Sequence, residues 1–418
     1  MRKAFLELHI AVLLAGFTGV LGRLITLNEG WLVWLGVEPQ WDVLRGNVIF
    51  DELLSKTRNP APQAFVEGLV SAYRERTGAS VSPITSPFPS PTADTSPGLD
   101  EEARQLFTAG RYYATRRTAE GLRQAIERLE QAVKLKPDYA AAWAELADCC
   151  ALLNWFVEPP PPDAWQRAKK AALSAVKTDP SLAEAHASLG FVRLHYDRDW
   201  EEAERELRKA IVLNPSNLVS HRWFAYSLSA MGRHEEAVSE IERAREISPQ
   251  SPVIATAVAN VLFLAGRFDD AVAQCRKALE LDPGGVAAHT ILRWAYERKG
   301  MASEALAAYD QEKIFAGDTP TTRAKRAHVL AATGHYAQAR EILDEIIKHR
   351  EVQWVTAYEI ATIYTLLGDA EKAFRWLDQA EREHAVGFTF VRVDPHLESL
   401  RPDPRFARIL TRTHTTNP

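Results

Sequence analysis

The chain has 418 residues, of which 46% are hydrophobic and 25% are charged, a balance typical of a globular protein that buries a core. Its formal net charge of -5 argues against a nucleic-acid partner, because a DNA- or RNA-binding face needs an excess of Lys and Arg. Cys149, Cys150 and Cys275 lack the spacing of a disulfide framework or a metal site, and we expect small buried side chains there.

The first thirty residues begin with Arg2 and Lys3, become apolar and then turn polar. A membrane anchor, a cleaved secretory signal and an apolar helix packed within the protein are all open. The uncharged run between Glu7 and Arg23 is shorter than the roughly 20 residues that a spanning helix needs. A clear A-x-A cleavage site is also missing.

The stretch LHIAVLLAGFTGVLGRLITLNEGWLVW resembles the first transmembrane helix of EamA-type drug/metabolite transporters. This resemblance covers a single helix, so it implies membrane character without a transport function. We therefore predict membrane association through residues 4–22, with a cytoplasmic or a secreted or periplasmic location as the alternatives.

Residues 31–77 contain a phrase that also occurs at the C-terminus. The two copies align without gaps and pair, for example, Val37 with Val393 and Phe50 with Phe406. We interpret 31–77 as a cap-like helical segment. Residues 78–99 are rich in Pro, Ser and Thr, which predicts an extended linker.

From residue 200 onward one sequence pattern recurs, and its frame extends upstream. Glycines recur with a period of 34 residues at Gly232, Gly266, Gly300, Gly334 and Gly368. An alanine follows five residues after each glycine, and matching alanines occur upstream at Ala125, Ala168 and Ala203. A glycine at a turn and a small residue in the next helix predict an antiparallel helix pair, which must stack on its neighbours to bury its apolar stripe.

The phrases AAAWAELADCC and AEAHASLGFVR, each with its following helix, resemble tetratricopeptide (TPR) repeats. The resemblance implies an all-α solenoid, a right-handed superhelix of about eight repeats over residues 100–383. A C-terminal cap over 384–413 would end in an amphipathic helix carrying Phe406, Ile409 and Leu410. Repeat six has Glu312 and Gly317 in place of Ala and Pro, so we expect its second helix to end early.

The first two repeats resemble those of bacterial TPR proteins in which the array follows a winged-helix, kinase or cyclase-like domain. The phrase GRYYATRRTAEGLRQAIERLEQAVKLKPDYA carries this likeness. Residues 1–99 offer no room for such a domain beside the linker. One hypothesis is therefore a sensor or regulatory module whose effector domain is missing or lies on another chain.

The sequence shows neither a phosphate-binding loop nor a nucleophile elbow or zinc-protease signature, so we predict no enzyme activity, no cofactor and no metal. His186, His221 and His289 share one repeat position, which Trp143 holds in repeat two, and we assign them to packing between helices.

The leading hypothesis is a non-catalytic scaffold that binds a peptide or protein, of unknown identity, in the concave groove. The TPR resemblance places the first helices of the repeats along this groove. The implied lining comprises Phe191, Leu194, Arg222, Tyr226, Asn260, Phe263, Thr290, Trp294, His328, Tyr358 and Thr362.

Overall fold

The computed structural model describes residues 99–350 and 354–412. Contacts divide the chain into residues 1–96 and 97–418, and every described residue belongs to the second unit. The predictions for 1–30, 31–77 and nearly all of the linker therefore lie outside the described residues.

The described residues are helical and contain no strand. The α-helices are α1 Leu99–Thr115, α2 Ala119–Leu135, α3 Ala140–Phe156, α4 Ala164–Thr178, α5 Ala183–Val192, α6 Trp200–Leu213, α7 Leu218–Ala230, α8 His234–Ile247, α9 Pro252–Leu264, α10 Phe268–Leu281, α11 Val286–Arg298, α12 Ala302–Ala316, α13 Pro320–Ala332, α14 Tyr336–Lys348, α15 Ala357–Leu366, α16 Ala370–Arg382 and α17 Pro404–Arg412. A π-helical turn, Arg193–Asp197, continues α5, and 3₁₀ helices span Val386–Phe390 and Pro395–Leu400.

Helices α1 to α16 form eight pairs in the described part of the chain, each packed on the next. The frame alanines lie where the two helices of a pair meet, and Ala125, Ala203, Ala271 and their equivalents are fully buried. The first helices of successive repeats contact one another, whereas contact of comparable extent between successive second helices is absent among the described residues. The first helices therefore form the inner side of an all-α solenoid.

The periodic glycines end the first helix of each of the last five pairs in the left-handed conformation that the sequence predicts. At Gly232, Gly266, Gly300, Gly334 and Gly368, φ lies between 69° and 83°. At one of these turns the Arg267 N–H donates to the Leu262 carbonyl over 2.9 Å, which satisfies an orphan carbonyl at the helix end.

Gly266→Ala is expected to destabilise the protein by about 1–2 kcal/mol, because an L-residue pays that cost in the left-handed region. A Cβ at Gly266 would meet no atom within 4 Å, so strain in the backbone is the whole effect. Urea unfolding of the variant measures it. Gly284→Ala is the matched control, because Gly284 lacks a positive φ and its nearest neighbours lie 3.5 Å or more from the added Cβ.

The recurring histidines each hydrogen-bond to the proline that closes the preceding repeat. Nε2 of His186, His221 and His289 lies 2.9, 2.8 and 3.0 Å from the carbonyl oxygen of the proline six residues earlier. Nε1 of Trp143 makes the same bond over 2.9 Å. A shared repeat position thus reflects a shared structural bond.

The prediction that the second helix of repeat six ends early is wrong. Helix α12 has 15 residues, against 14 in α10. Glu312 is fully buried where the repeat pattern has alanine, and it pairs with Lys325 and with Arg293. Because the carboxylate has partners, the helix continues to Ala316 and ends before Gly317, whose φ is 79°.

The three cysteines are free and buried, as the sequence predicts. None of the helices in the described ranges is long and apolar enough to cross a membrane. Residues 4–22 lie outside those ranges.

Candidate functional site

Residues 386–400, near the end of the described part of the chain, lie on the inner side of the solenoid. We call residues 386–400, which contain the two 3₁₀ helices, the C-terminal segment. Its contacts pass from repeat three to repeat eight and join Thr389 to His195, Phe390 to Tyr226, His396 to Phe263, Trp294 and His328, and Asp394 to Tyr358. Helix α17 follows and buries Phe406 and Ile409 in the core of the last two repeats.

Repeat three holds the beginning of the C-terminal segment through an arginine at the turn. Arg198 takes the place that glycine has in later repeats and adopts a φ of 56°. Its Nη2 donates to the Glu381 carbonyl over 2.9 Å, and its guanidinium lies 4.7 Å from the centroid of the Phe388 ring. The side chain thus connects repeat three to repeat eight.

Thr389 adds a buried polar contact beside this anchor. Its hydroxyl lies 2.9 Å from Nδ1 of His195. Burial lowers the pKa of His195 to about 3, so the ring is neutral. A neutral imidazole and a hydroxyl can hydrogen-bond without burying a charge.

Gly387 allows the C-terminal segment to approach helix α15 closely. A Cβ at this position would lie 2.4 Å from Cδ1 of Tyr358. The Tyr358 ring is buried, and its hydroxyl donates to Asp394 over 2.6 Å, so the ring is held from both ends.

Gly387→Ala is expected to destabilise the C-terminal segment by about 1–3 kcal/mol through overpacking against Tyr358. Hydrogen exchange of residues 386–400 should accelerate relative to that of α3 and α4. Gly284→Ala serves again as control. Unchanged exchange in the segment would mean that the ring moves aside.

A buried ion-pair network lies beneath the middle of the C-terminal segment. Arg293 is fully buried, and its Nη1 donates to Oε1 of Glu297 over 2.6 Å. Its Nε lies 3.4 Å from Oε2 of Glu312, which also pairs with Lys325 and accepts from the Thr290 hydroxyl. Burial opposes ionisation of Glu312, but Lys325 and Arg293 outweigh it and lower the pKa of that carboxyl.

His396 brings the C-terminal segment into this network. Its Nδ1 lies 2.9 Å from Oδ1 of Asp394. Its ring centroid lies 4.8 Å from that of His328, and His328 Nδ1 lies 3.1 Å from Oε2 of Glu297. Burial alone would lower the pKa of His396, but Asp394 and then Glu297 outweigh it and raise that pKa to about 9.

Glu297 is the point where these contacts meet. Burial opposes its ionisation, but Arg293 and the two histidines outweigh burial and hold the pKa of Glu297 well below its usual range. Glu297, His328 and His396 each offer a ligand atom, and the three atoms lie within 4.8 Å of one another. Two imidazoles and a carboxylate are also a donor set that divalent transition metals accept.

Five of the predicted groove residues contact the C-terminal segment. Tyr226 and Phe263 face Phe390 and His396 with ring centroids 6.1 and 5.5 Å apart. Trp294, His328 and Tyr358 also contact it.

The other predicted residues have partners within the solenoid. Phe191 stacks on Trp155 and Trp223, and Leu194 is fully buried. Thr290 and Thr362 donate to Glu312 and to the Glu359 carbonyl.

Arg222 and Asn260 flank Tyr226. The Arg222 guanidinium lies 4.1 Å from the centroid of the Trp223 ring, and burial lowers its pKa to about 10. The Asn260 side chain lies beside Tyr226. Partner binding by the predicted groove residues stays a prediction.

Sequence reasoning missed the residues that close the inner face. Asp394 and His396 lie in the tail that was assigned to a cap, and Arg293, Glu297 and Glu312 carried no repeat signal except the departure at Glu312. That departure was the available clue, because a carboxylate in place of a small buried residue requires a buried partner.

The tetratricopeptide repeat family profile matches residues 115–155, 193–252, 257–319 and 325–387, more than half of the chain. The chain therefore belongs to the tetratricopeptide repeat family, and in general terms it is a protein-interaction scaffold. The matches support neither the transporter-like resemblance of the N-terminus nor the relation to regulator-linked arrays.

Solved structures with similar folds include TTC0263, a TPR protein of Thermus thermophilus, at 22% identity and a TM-score of 0.39, covering 46% of this chain and 98% of that one. A TPR protein of Parabacteroides merdae is 14% identical with a TM-score of 0.44, covering 60% and 98%. Human IFIT1 in a dimer with m7Gppp-AAAA is 17% identical with a TM-score of 0.45, covering 76% and 83%. The comparison with curated proteins found no match.

Proposed function

We propose that the chain is a non-catalytic scaffold whose inner face binds a peptide or protein segment, and that the C-terminal segment occupies this face when a partner is absent. The contacts of residues 386–400 support the proposal. Tyr226, Phe263, Trp294 and Tyr358, chosen as groove residues from the sequence alone, hold a non-repetitive stretch of the chain itself.

The chemistry of the occupant suggests that of the partner. In the C-terminal segment, the Phe390 ring packs on Tyr226 and the Asp394 carboxylate accepts a hydrogen bond from the Tyr358 hydroxyl. A partner would supply an aromatic ring and a carboxylate at the same two places. Aromatic side chains supply most of the contact area at such sites, and the buried hydrogen bond sets the register. A partner segment with an aromatic residue a few positions before an acidic one fits this arrangement.

The test uses a labelled peptide with the sequence of residues 386–400, VGFTFVRVDPHLESL. We expect it to bind the full-length Gly387→Ala variant more tightly than the wild type, because the variant holds its own segment less firmly. Adding Tyr226→Ala and Trp294→Ala to that variant should remove binding. Equal binding to all three proteins would contradict a specific inner-face site.

The same proteins then serve as baits in lysate. A protein retained by the wild type or Gly387→Ala and lost with the double substitution would support the scaffold and identify its partner. Folded baits that retain nothing would favour the alternative, a regulatory module whose effector domain is on another chain.

Membrane association through residues 4–22 stays a prediction. Fractionation of cells that express the intact chain tests it, and recovery of the full-length protein only in the soluble fraction would contradict it.

A further inference from the structure

We infer that Glu297, His328 and His396 form a binding site for one divalent transition-metal ion, which fastens the C-terminal segment to the inner face of the solenoid. The geometry of the three side chains, their burial and the unsatisfied polar atoms beside them support this site.

The three ligands come from parts of the chain that are distant in sequence. Glu297 lies on α11, His328 on α13 and His396 on the C-terminal segment. Their side chains are buried, with exposed fractions of 1%, 2% and 3%. An ion at this point would join two repeats to the segment that crosses them.

One of the separations between the ligand atoms is too long for a hydrogen bond and fits a shared metal ion. Oε2 of Glu297 lies 3.1 Å from His328 Nδ1 and 3.6 Å from His396 Nε2. Two ligands bound at about 2.0–2.2 Å from one zinc ion lie about 3–4 Å apart. A hydrogen bond cannot form over 3.6 Å.

Two buried atoms at this point lack a hydrogen bond of good geometry, although His328 Nδ1 lies 3.1 Å from one of them. They are Oε2 of Glu297 and Nε2 of His396, which face each other across the 3.6 Å gap. A proton on Nε2 would leave a buried N–H unsatisfied, which is costly. A metal ion between the two atoms would coordinate both of them, so neither would need a hydrogen bond.

The side chains that hydrogen-bond to the candidate ligands also resemble those found around metal sites. Asp394 accepts from Nδ1 of His396, which directs Nε2 towards Glu297, and Asp394 is itself held by the Tyr358 hydroxyl. A carboxylate behind a ligating histidine fixes its tautomer and orientation. Arg293 binds the other oxygen of Glu297 and would give up its 3.3 Å contact with His328 Nδ1.

Acidic side chains outnumber the arginine and lysine side chains around the three ligands. Glu297, Glu312 and Asp394 supply three carboxylates, and Arg293 and Lys325 supply two cations. Imidazole and carboxylate ligands select ions such as Zn²⁺, Ni²⁺ and Co²⁺ over Ca²⁺ and Mg²⁺, which prefer oxygen.

The test measures metal uptake by the full-length chain after treatment with EDTA. Following exposure to Zn²⁺ and desalting, we expect about one bound zinc ion per chain by elemental analysis. His396→Gln and Glu297→Gln should lose it, and Asp394→Asn should weaken binding about 10–100-fold. His289→Gln is the matched control, because its ring bonds only to the Pro283 carbonyl and stacks on Phe315.

Two further measurements make the result specific. Co²⁺ bound to the wild type should give visible absorption typical of a low-coordinate site. This measurement needs only the wild-type protein, so it does not depend on whether a variant folds. Zn²⁺ should slow hydrogen exchange of residues 386–400 in the wild type and not in His396→Gln. Zinc uptake that persists in His396→Gln, or wild-type protein without stoichiometric uptake and without the Co²⁺ absorption, would overturn the inference.

Discussion

Arg293→Met is expected to destabilise the protein by about 3–5 kcal/mol in metal-free buffer, since removing one partner leaves buried charges without compensation. Arg293 and Glu297 are essentially inaccessible to solvent, with side-chain exposures of 0% and 1%. Without the guanidinium, Glu297 loses its 2.6 Å bond and Glu312 retains Lys325 and Thr290. The measurement is urea unfolding, with hydrogen exchange of α11 and α12 because repeat arrays unfold in parts.

Two controls separate the ion pair from the loss of an arginine in general. Arg104→Met breaks an exposed ion pair, in which the side chains of Arg104 and Glu101 are 63% and 46% exposed. It should change the free energy of unfolding by about 0–1 kcal/mol. The triple substitution Arg293→Met, Glu297→Leu and Glu312→Leu removes all three groups at once and should recover much of the loss. If Arg293→Met alone costs less than about 1 kcal/mol, water or protons already neutralise the carboxylates.

The repeat architecture was predictable because it is periodic. Gly266 and Ala271 recur at fixed spacing, and each has a local cause: a left-handed turn and a close approach of two helices. Because the same turn glycine and the same small residue recur from repeat to repeat, the fold could be predicted without knowledge of any contact between distant residues.

The packing of the C-terminal segment on the inner face was not predictable in this way. Thr389 contacts His195 across nearly half of the chain, and neither residue belongs to a recurring position. The turn at Arg198 shows the same difficulty, because an arginine with positive φ follows from its bond to Glu381 and its contact with Phe388. Contacts that occur once leave no period in the sequence.

The buried charges were predictable only in part. Glu312 stands out as a departure from the repeat pattern, but that departure alone predicts a shortened helix and not a buried partner. The structure shows the partner, Arg293, one helix earlier in the same repeat. Their pairing depends on the side-chain directions of two packed helices, which composition and spacing do not define.

Phe388→Ala is expected to destabilise the last two repeats by about 3–5 kcal/mol, the range for deleting a buried phenylalanine. Phe388 is fully buried, belongs to the core that includes Phe406 and Ile409, and lies beneath the guanidinium of Arg198. The measurement is urea unfolding with hydrogen exchange. Exchange should accelerate in the C-terminal segment, α15 and α16, and much less in α1 to α4.

The control is Phe315→Ala, since Phe315 is 48% exposed and its loss should cost less than about 1 kcal/mol. Comparison with Gly387→Ala then distinguishes two roles of the segment. If Phe388→Ala loosens α15 and α16 while Gly387→Ala loosens only residues 386–400, the segment can leave the inner face without unfolding the repeats beneath it. If both variants loosen the same helices, the segment is part of the core of the last repeats, and a partner could not displace it without unfolding them.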